Sequence, residues 1–240
     1  MSAPAGAVSR VGAEHVTRAR APRATARAVG LLFLISYATF MVGTSMLEPV
    51  FTANSELADF APLKAQLVWG SLIESVNVFA ILGIAVLLYP SLSRAGKGLA
   101  LGYVAVRVLE GAMYFHAKVS VFSLVALSED YLDVGAPTGT SHLLMEQIIR
   151  ADIAGANAMA AVGFIVGAPV LYALLYRSRL VPRFIAVWGL VAVAMLAAGN
   201  IAQVNVLDGF SPLMLLFVPI VLNEVFLAVW LLAKGFSAGP

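Results

Sequence analysis

Six stretches of this chain are apolar for long enough to cross a bilayer: approximately 28–47, 65–89, 100–127, 146–176, 184–205 and 213–233. A hydrocarbon core of roughly 30 Å takes about 20 helical residues to span. Lipid offers no partner for bare backbone N–H and C=O groups, so each spanning segment must be a helix or a barrel strand. Runs of this length without apolar–polar alternation are helices. The expected fold class is therefore all-α, an integral membrane bundle of six transmembrane helices. Composition agrees: 61% of residues are apolar and 12% charged, with a mean hydropathy of +0.92, against roughly 25% charged in soluble proteins.

Lys+Arg and Asp+Glu total 15 and 13, so the charges nearly cancel and no nucleic-acid surface is expected. Their position is more informative. Arg10, Arg18, Arg20, Arg23 and Arg27 precede the first span, Arg94 and Lys97 lie in the second loop, Arg177, Arg179 and Arg183 in the fourth, and Lys234 in the tail. All fall on one side of a six-helix arrangement. The opposite side has Lys64 with Glu48, Glu56, Asp59, Glu129, Asp130, Asp133 and Asp208. Cytoplasmic loops hold the Lys/Arg excess, so both termini are expected in the cytoplasm. Trp188, Trp230, Tyr89 and Tyr176 near the inner helix ends, and Trp69 near an outer one, fit interfacial aromatic belts. Residues 1–27, rich in Ala and Arg, read as a basic disordered cytoplasmic arm, 28–236 as the six-helix domain and 237–240 as a cytoplasmic tail. TSMLEPV offers no small-x-small cleavage site of a secretory signal.

Inside or near the spans remain Arg107, Lys118 and Arg150 against Glu74, Glu110, Glu146, Asp152 and Glu224. A buried ion costs several kcal/mol unless it snorkels, pairs or becomes neutral. Glu224 falls near the centre of the sixth span and Glu74 and Glu110 about one turn from theirs, with Asn77 and Asn223 central too. Arg107 and Lys118 lie farther out, where long side chains reach the interface. At about 100° per residue, Tyr103, Arg107, Glu110, Gly111, Tyr114 and Lys118 share one stripe of the third helix, and His116 points away. Arg107 and Glu110, three apart, can pair directly. Gln66, Gly70, Ser71, Glu74 and Asn77 share a face of the second helix, and Asn223 and Glu224 follow Pro219, whose ring is expected to remove one helical hydrogen bond. The three helices could converge on one polar core. A fourth helix from Leu143 to Tyr176 would run about 50 Å, so Glu146 and Arg150, four apart, are expected as an outer-interface pair. Gly155, Gly163, Ala154, Ala158 and Ala161 suit close helix packing.

The ligand-binding candidates are thus Arg107, Glu110, Tyr114, Glu74, Asn77, Asn223 and Glu224, with Glu110, Glu224 and Glu74 as catalytic candidates if the protein is an enzyme. No cysteine is present, and His15, His116 and His142 are too scattered for a metal site. HExxH, GxSxG, Walker and aspartate-rich diphosphate motifs are missing, so no metal or cofactor is expected.

The third-helix segment ALGYVAVRVLEG resembles the ALGYxxxRxxE signature of a bacterial multi-pass family, domain of unknown function four-three-eight-six. RAVGLLFLISYATF is similar to that family's first helix, LYPSLSR to its second-helix end, RSRLVPRFIAVWGL to its fourth loop and PIVLNEVFLAVWLLAKGF to its last helix. The similarity covers about residues 27–236. It implies a bacterial plasma (inner) membrane bundle and marks Arg107, Glu110, Pro182, Arg183, Glu224 and Lys234 as motif positions, without implying a reaction.

Three functions fit these residues. A polar cavity could bind or move a small ligand or a proton, with a path to water. An intramembrane enzyme could use a buried glutamate as general acid or base on a lipid or isoprenoid. A scaffold could use its charges only as helix-packing glue, each worth about 0.6 to 2 kcal/mol. The cavity ranks first, with membrane lipids or a small molecule as partner.

Overall fold

The computed structural model describes residues 7–52, 54–137, 140–203 and 212–237. Its long helices are α1 (Ala7–Met46), α2 (Lys64–Leu92), α3 (Lys97–Asp133), α4 (Thr140–Ser178), α5 (Arg183–Gln203) and α6 (Val218–Ala233). Short helical turns at Glu48–Phe51 and Leu57–Phe60 lie between α1 and α2, and a 3-10 turn, Pro212–Phe217, leads into α6. No strand occurs among the described residues. Arg23–Met46, Lys64–Leu92, Lys97–Asp133, Ser141–Ser178, Arg183–Ile201 and Leu215–Ala233 are each long and apolar enough to cross a membrane. The all-α, six-span architecture expected from the sequence is the one observed.

Boundaries differ in two places. The helix α1 begins at Ala7, inside the 1–27 arm expected to be disordered; Ala and Arg are among the stronger helix formers. Pro219 sits in the first turn of α6, where an amide has no intrahelical acceptor, so the ring removes no hydrogen bond and the expected loss is corrected. Expectations at residues 1–6, 204–205, Asp208 and 238–240 lie outside the described residues.

The six helices form a closed ring in chain order: each packs on its neighbour in sequence, and α1 also packs on α6. Ser237 N–H donates to the Leu180 carbonyl (2.8 Å), bringing the end of α6 to the α4–α5 connection. The other end is tied by Arg150, whose guanidinium donates to the Val50 carbonyl at 2.8 Å and the Ser55 carbonyl at 2.7 Å and lies 4.8 Å from the Phe60 ring centre. Its partner Glu146 is 2.9 Å away. The expected outer pair is therefore also the clasp that holds the α1–α2 connection down on α4.

Close approach sets the tilt of α1. A Cβ on Gly30 would lie 2.7 Å from the Ala228 carbonyl oxygen of α6, and a Cβ on Gly43 would lie 2.7 Å from Glu74 Cβ and 2.9 Å from the Gly70 carbonyl oxygen of α2. The helix thus hugs α6 at its Gly30 level and α2 at its Gly43 level. Small residues allow such contacts in lipid, where apolar burial drives association weakly. On α4, Gly163 is also close-packed, though less tightly, its Cβ position 3.0 Å from Glu110 Cβ, whereas Gly155 meets nothing within 4 Å. The two are eight residues apart, about 80° of helix rotation, so only Gly163 meets the packing expectation.

Two apolar clusters pack the described bundle. Val29, Leu88, Leu92, Leu171, Ile185 and Leu231 belong to the cluster nearer the chain termini. Leu47, Val50, Phe60, Leu67, Leu124 and Ile153 belong to the opposite one, among α1 to α4. Gly43→Ala is expected to force α1 from α2 and destabilise the bundle by about 1–3 kcal/mol. Gly98→Ala, where a Cβ meets nothing within 4 Å, should be neutral or stabilising. Melting temperatures in one detergent check both; equal melting of the two variants would refute the close contact.

Candidate functional site

Between the apolar clusters lies a polar layer organised by α3. A helical period brings Tyr103, Arg107, Glu110, Tyr114 and Lys118 onto one face, and packing against both α2 and α4 turns that face inward. Arg107 Nη1 donates to both Glu110 oxygens, at 2.9 and 2.8 Å. Its Nε donates to the Tyr103 hydroxyl at 3.4 Å, and its Cζ lies 5.4 Å from the Tyr103 ring centre and 5.0 Å from that of Phe164. One turn beyond Tyr114, Lys118 Nζ meets Glu74 Oε2 of α2 at 2.5 Å. The Arg107 and Lys118 side chains are both 4% exposed. The expectation that they snorkel is corrected: carboxylates on the inward faces of α2 and α3 offer each a charge partner, which a reach to the interface would forgo.

The same geometry revises Glu74. Read alone on its helix it had no cation, yet α3 supplies Lys118, so Glu74 belongs to a buried ion pair and does not line the cavity. Asn223 is corrected as well. Its Nδ2 donates to the Ile185 carbonyl of α5 at 3.0 Å, and a neighbour in sequence to Glu224 points about 100° away on a helix. It joins α6 to α5 and is not a wall of the cavity.

A cavity of about 310 Å³ occupies the middle of the ring, with walls from all six helices. That volume is at the lower end of the roughly 300–1,000 Å³ of small-molecule sites. Of the candidates, Asn77, Arg107, Glu110, Tyr114 and Glu224 line it. Ser36 Oγ donates to Asn77 Oδ1 at 2.5 Å, and the Tyr37 hydroxyl donates to Glu224 Oε2 at 2.6 Å. Glu224 Oε1, also buried, has no hydrogen-bond partner. Phe33, Phe40, Ile81, Ile84, Phe164 and Leu196 supply apolar wall.

Sequence reasoning missed Ser36 and Tyr37, although LISYATF places two adjacent hydroxyls within an otherwise apolar run. It also missed Asn200 of α5, which lines the cavity and donates back to the Leu196 carbonyl at 3.0 Å. His116 stands outside, as its angle indicated: its Nε2 is 2.9 Å from Asp152 Oδ1, with the side chain 51% exposed. Among the described residues no three His, Asp or Glu side chains converge as a metal-ligand set.

Arg107→Leu strands Glu110 without its cation and is expected to cost about 3–5 kcal/mol. The double variant Arg107→Leu/Glu110→Leu should recover most of that loss. Thermal melting of the three proteins checks this, and a double variant as unstable as the single one would contradict the pairing account.

Residues 28–235 match the family described as Domain of unknown function (DUF4386). No curated protein and no solved structure matches the chain. The family match covers all six spans almost from end to end, including the Arg107–Glu110 pair and Glu224, and the chain belongs to the DUF4386 family.

Proposed function

We propose that this protein binds a small, largely apolar molecule in the cavity at the centre of its bundle, with Glu224 and Tyr37 as the principal polar contact. The observation that carries this reading is the partition of the buried charges. Arg107 with Glu110 and Lys118 with Glu74 are complete ion pairs, sufficient as packing glue. Glu224 has a tyrosine hydroxyl on one oxygen, no hydrogen-bond partner on the other, and a cavity beside it. A buried polar atom left without a partner costs about 1–3 kcal/mol, which a bound molecule would offset.

Access from the side fits better than a passage between two aqueous faces. Apolar clusters pack at the terminal end of the bundle and among α1 to α4 at the opposite end. An enzyme acting on the same ligand would use the same Glu224 as acid or base, so binding is the common first step. The excess of Arg and Lys at the end shared by Arg23, Arg94, Arg177 and Lys234 supports a cytoplasmic location for both termini. The bacterial inner membrane is the setting that the family resemblance implies.

Filling the cavity without touching a charge tests the reading. Ala161 lines it, and Ala161→Trp is expected to displace whatever molecule co-purifies with wild type while the protein stays folded. Native mass spectrometry and lipid analysis of protein extracted from its own membrane read the outcome. A co-purified molecule retained at equal stoichiometry in the folded variant, or no bound molecule in wild type, would overturn the proposal.

A further inference from the structure

The buried core holds one carboxylate more than its cations can match. Arg107 and Lys118 face Glu74, Glu110 and Glu224, each at most 5% exposed. Two cations against three carboxylates leave one in excess, and the contacts identify it. Glu110 has Arg107 at 2.8 Å and Glu74 has Lys118 at 2.5 Å, while Glu224 has one hydrogen bond, from the Tyr37 hydroxyl, and no described cation at ion-pair distance. Its Oε1 is buried without a hydrogen-bond partner, and the residue lines the cavity. Arg107 lines the same cavity but is committed to Glu110, to the Tyr103 hydroxyl and to two aromatic faces.

The contacts of α1 give this space a side. α1 lies against α2 from Leu32 to Gly43 and meets α6 at Gly30 and, through the Tyr37 hydroxyl, at Glu224; beyond Tyr37 its close contacts are with α2. Phe40 on α1, with Phe217 and Val221 at the start of α6, line the cavity at that level. Val221 is 38% exposed, and Phe40 and Phe217 are half-buried. The apolar wall therefore continues from Glu224 to the lipid-facing surface between the two helices.

We infer that Glu224 anchors the ammonium group of a membrane-dissolved alkyl amine that enters sideways between α1 and α6. The head supplies what the carboxylate lacks: a donor for Oε1 and the positive charge that balances the core. The alkyl part lies on Phe33, Phe40, Ile81 and Phe217. An alcohol of the same length would satisfy the oxygen and leave the charge unmatched. Both heads donate to the carboxylate, but only the ammonium adds a Coulomb attraction, which is large in a site poor in water, so the amine is preferred. This inference rests on the cavity being a binding site, as proposed above.

The test uses the full chain in lipid nanodiscs with n-decylamine and 1-decanol, matched in length, and reads occupancy by native mass spectrometry and melting temperature on the same samples. Wild type should take up the amine at about tenfold lower concentration than the alcohol, a difference of about 1.4 kcal/mol. Glu224→Gln should erase that preference while still binding the alcohol. Should the glutamine variant fold poorly, the relative uptake of the two probes by wild type still decides the inference. Equal uptake of amine and alcohol by wild type, or a preference that survives Glu224→Gln, would overturn the inference and leave the cavity reading standing. Uptake of neither probe, or uptake unaffected by Ala161→Trp, would overturn both.

Discussion

A charge inside a bilayer must find its opposite within the protein, and in this chain that requirement falls on α3. Arg107 and Lys118 lie eleven positions apart on one helical face, about three turns, and both are buried. Taking either out of water costs several kcal/mol unless a carboxylate stands against it. Glu110 comes from the same helix, but Glu74 must be delivered by α2, so the Lys118–Glu74 contact fixes how the two helices face each other. Gly43 and Gly70 then let α1 press against α2 at the same level. Packing of α3 between α2 and α4 keeps its charged face away from lipid.

The remaining polar groups divide by what satisfies them. Arg107, Glu110, Lys118 and Glu74 are answered by charged protein partners, and Asn223 through its Nδ2 alone, its Oδ1 being buried without a partner; these groups account for cohesion. The clasp around Arg150 does the same at one end of the bundle, binding a connection whose carbonyls would otherwise lack donors. Glu224 is different because its one hydrogen-bond partner is a neutral hydroxyl, its second oxygen is buried without a partner, and the residue borders a space of molecular size. Packing alone gives no reason to keep a carboxylate there, and a ligand does.

The architecture was legible in the sequence because hydrocarbon thickness permits few alternatives to six apolar helices. The Arg107–Glu110 pair was legible too, since spacing within one helix fixes its geometry, and the same angular reasoning put His116 outside. Contacts between helices were not. Nothing in the local spacing of Glu74 indicates Lys118, forty-four residues on, and nothing near Asn223 indicates the Ile185 carbonyl. Ser36 and Tyr37 escaped because hydroxyls in an apolar run carry little hydropathy signal, although in lipid they are the donors that a neighbouring carboxylate or amide needs. Pro219 was misjudged because its effect depends on where the helix begins, which periodicity does not fix.

The absence of natural cysteine makes the cavity directly measurable. A single trifluoroethyl-labelled cysteine at position 161, observed by 19F NMR in bicelles, reports contact with dissolved oxygen, which follows lipid, and with a water-soluble gadolinium chelate. Labels replacing Val229, which is 52% exposed to the surroundings, and Ala160, which is fully buried, set the two limits. A lipid-accessible cavity closed to water predicts oxygen broadening at 161 approaching that at 229, with no effect of gadolinium. Broadening by gadolinium, or an oxygen response no greater than at 160, would contradict it.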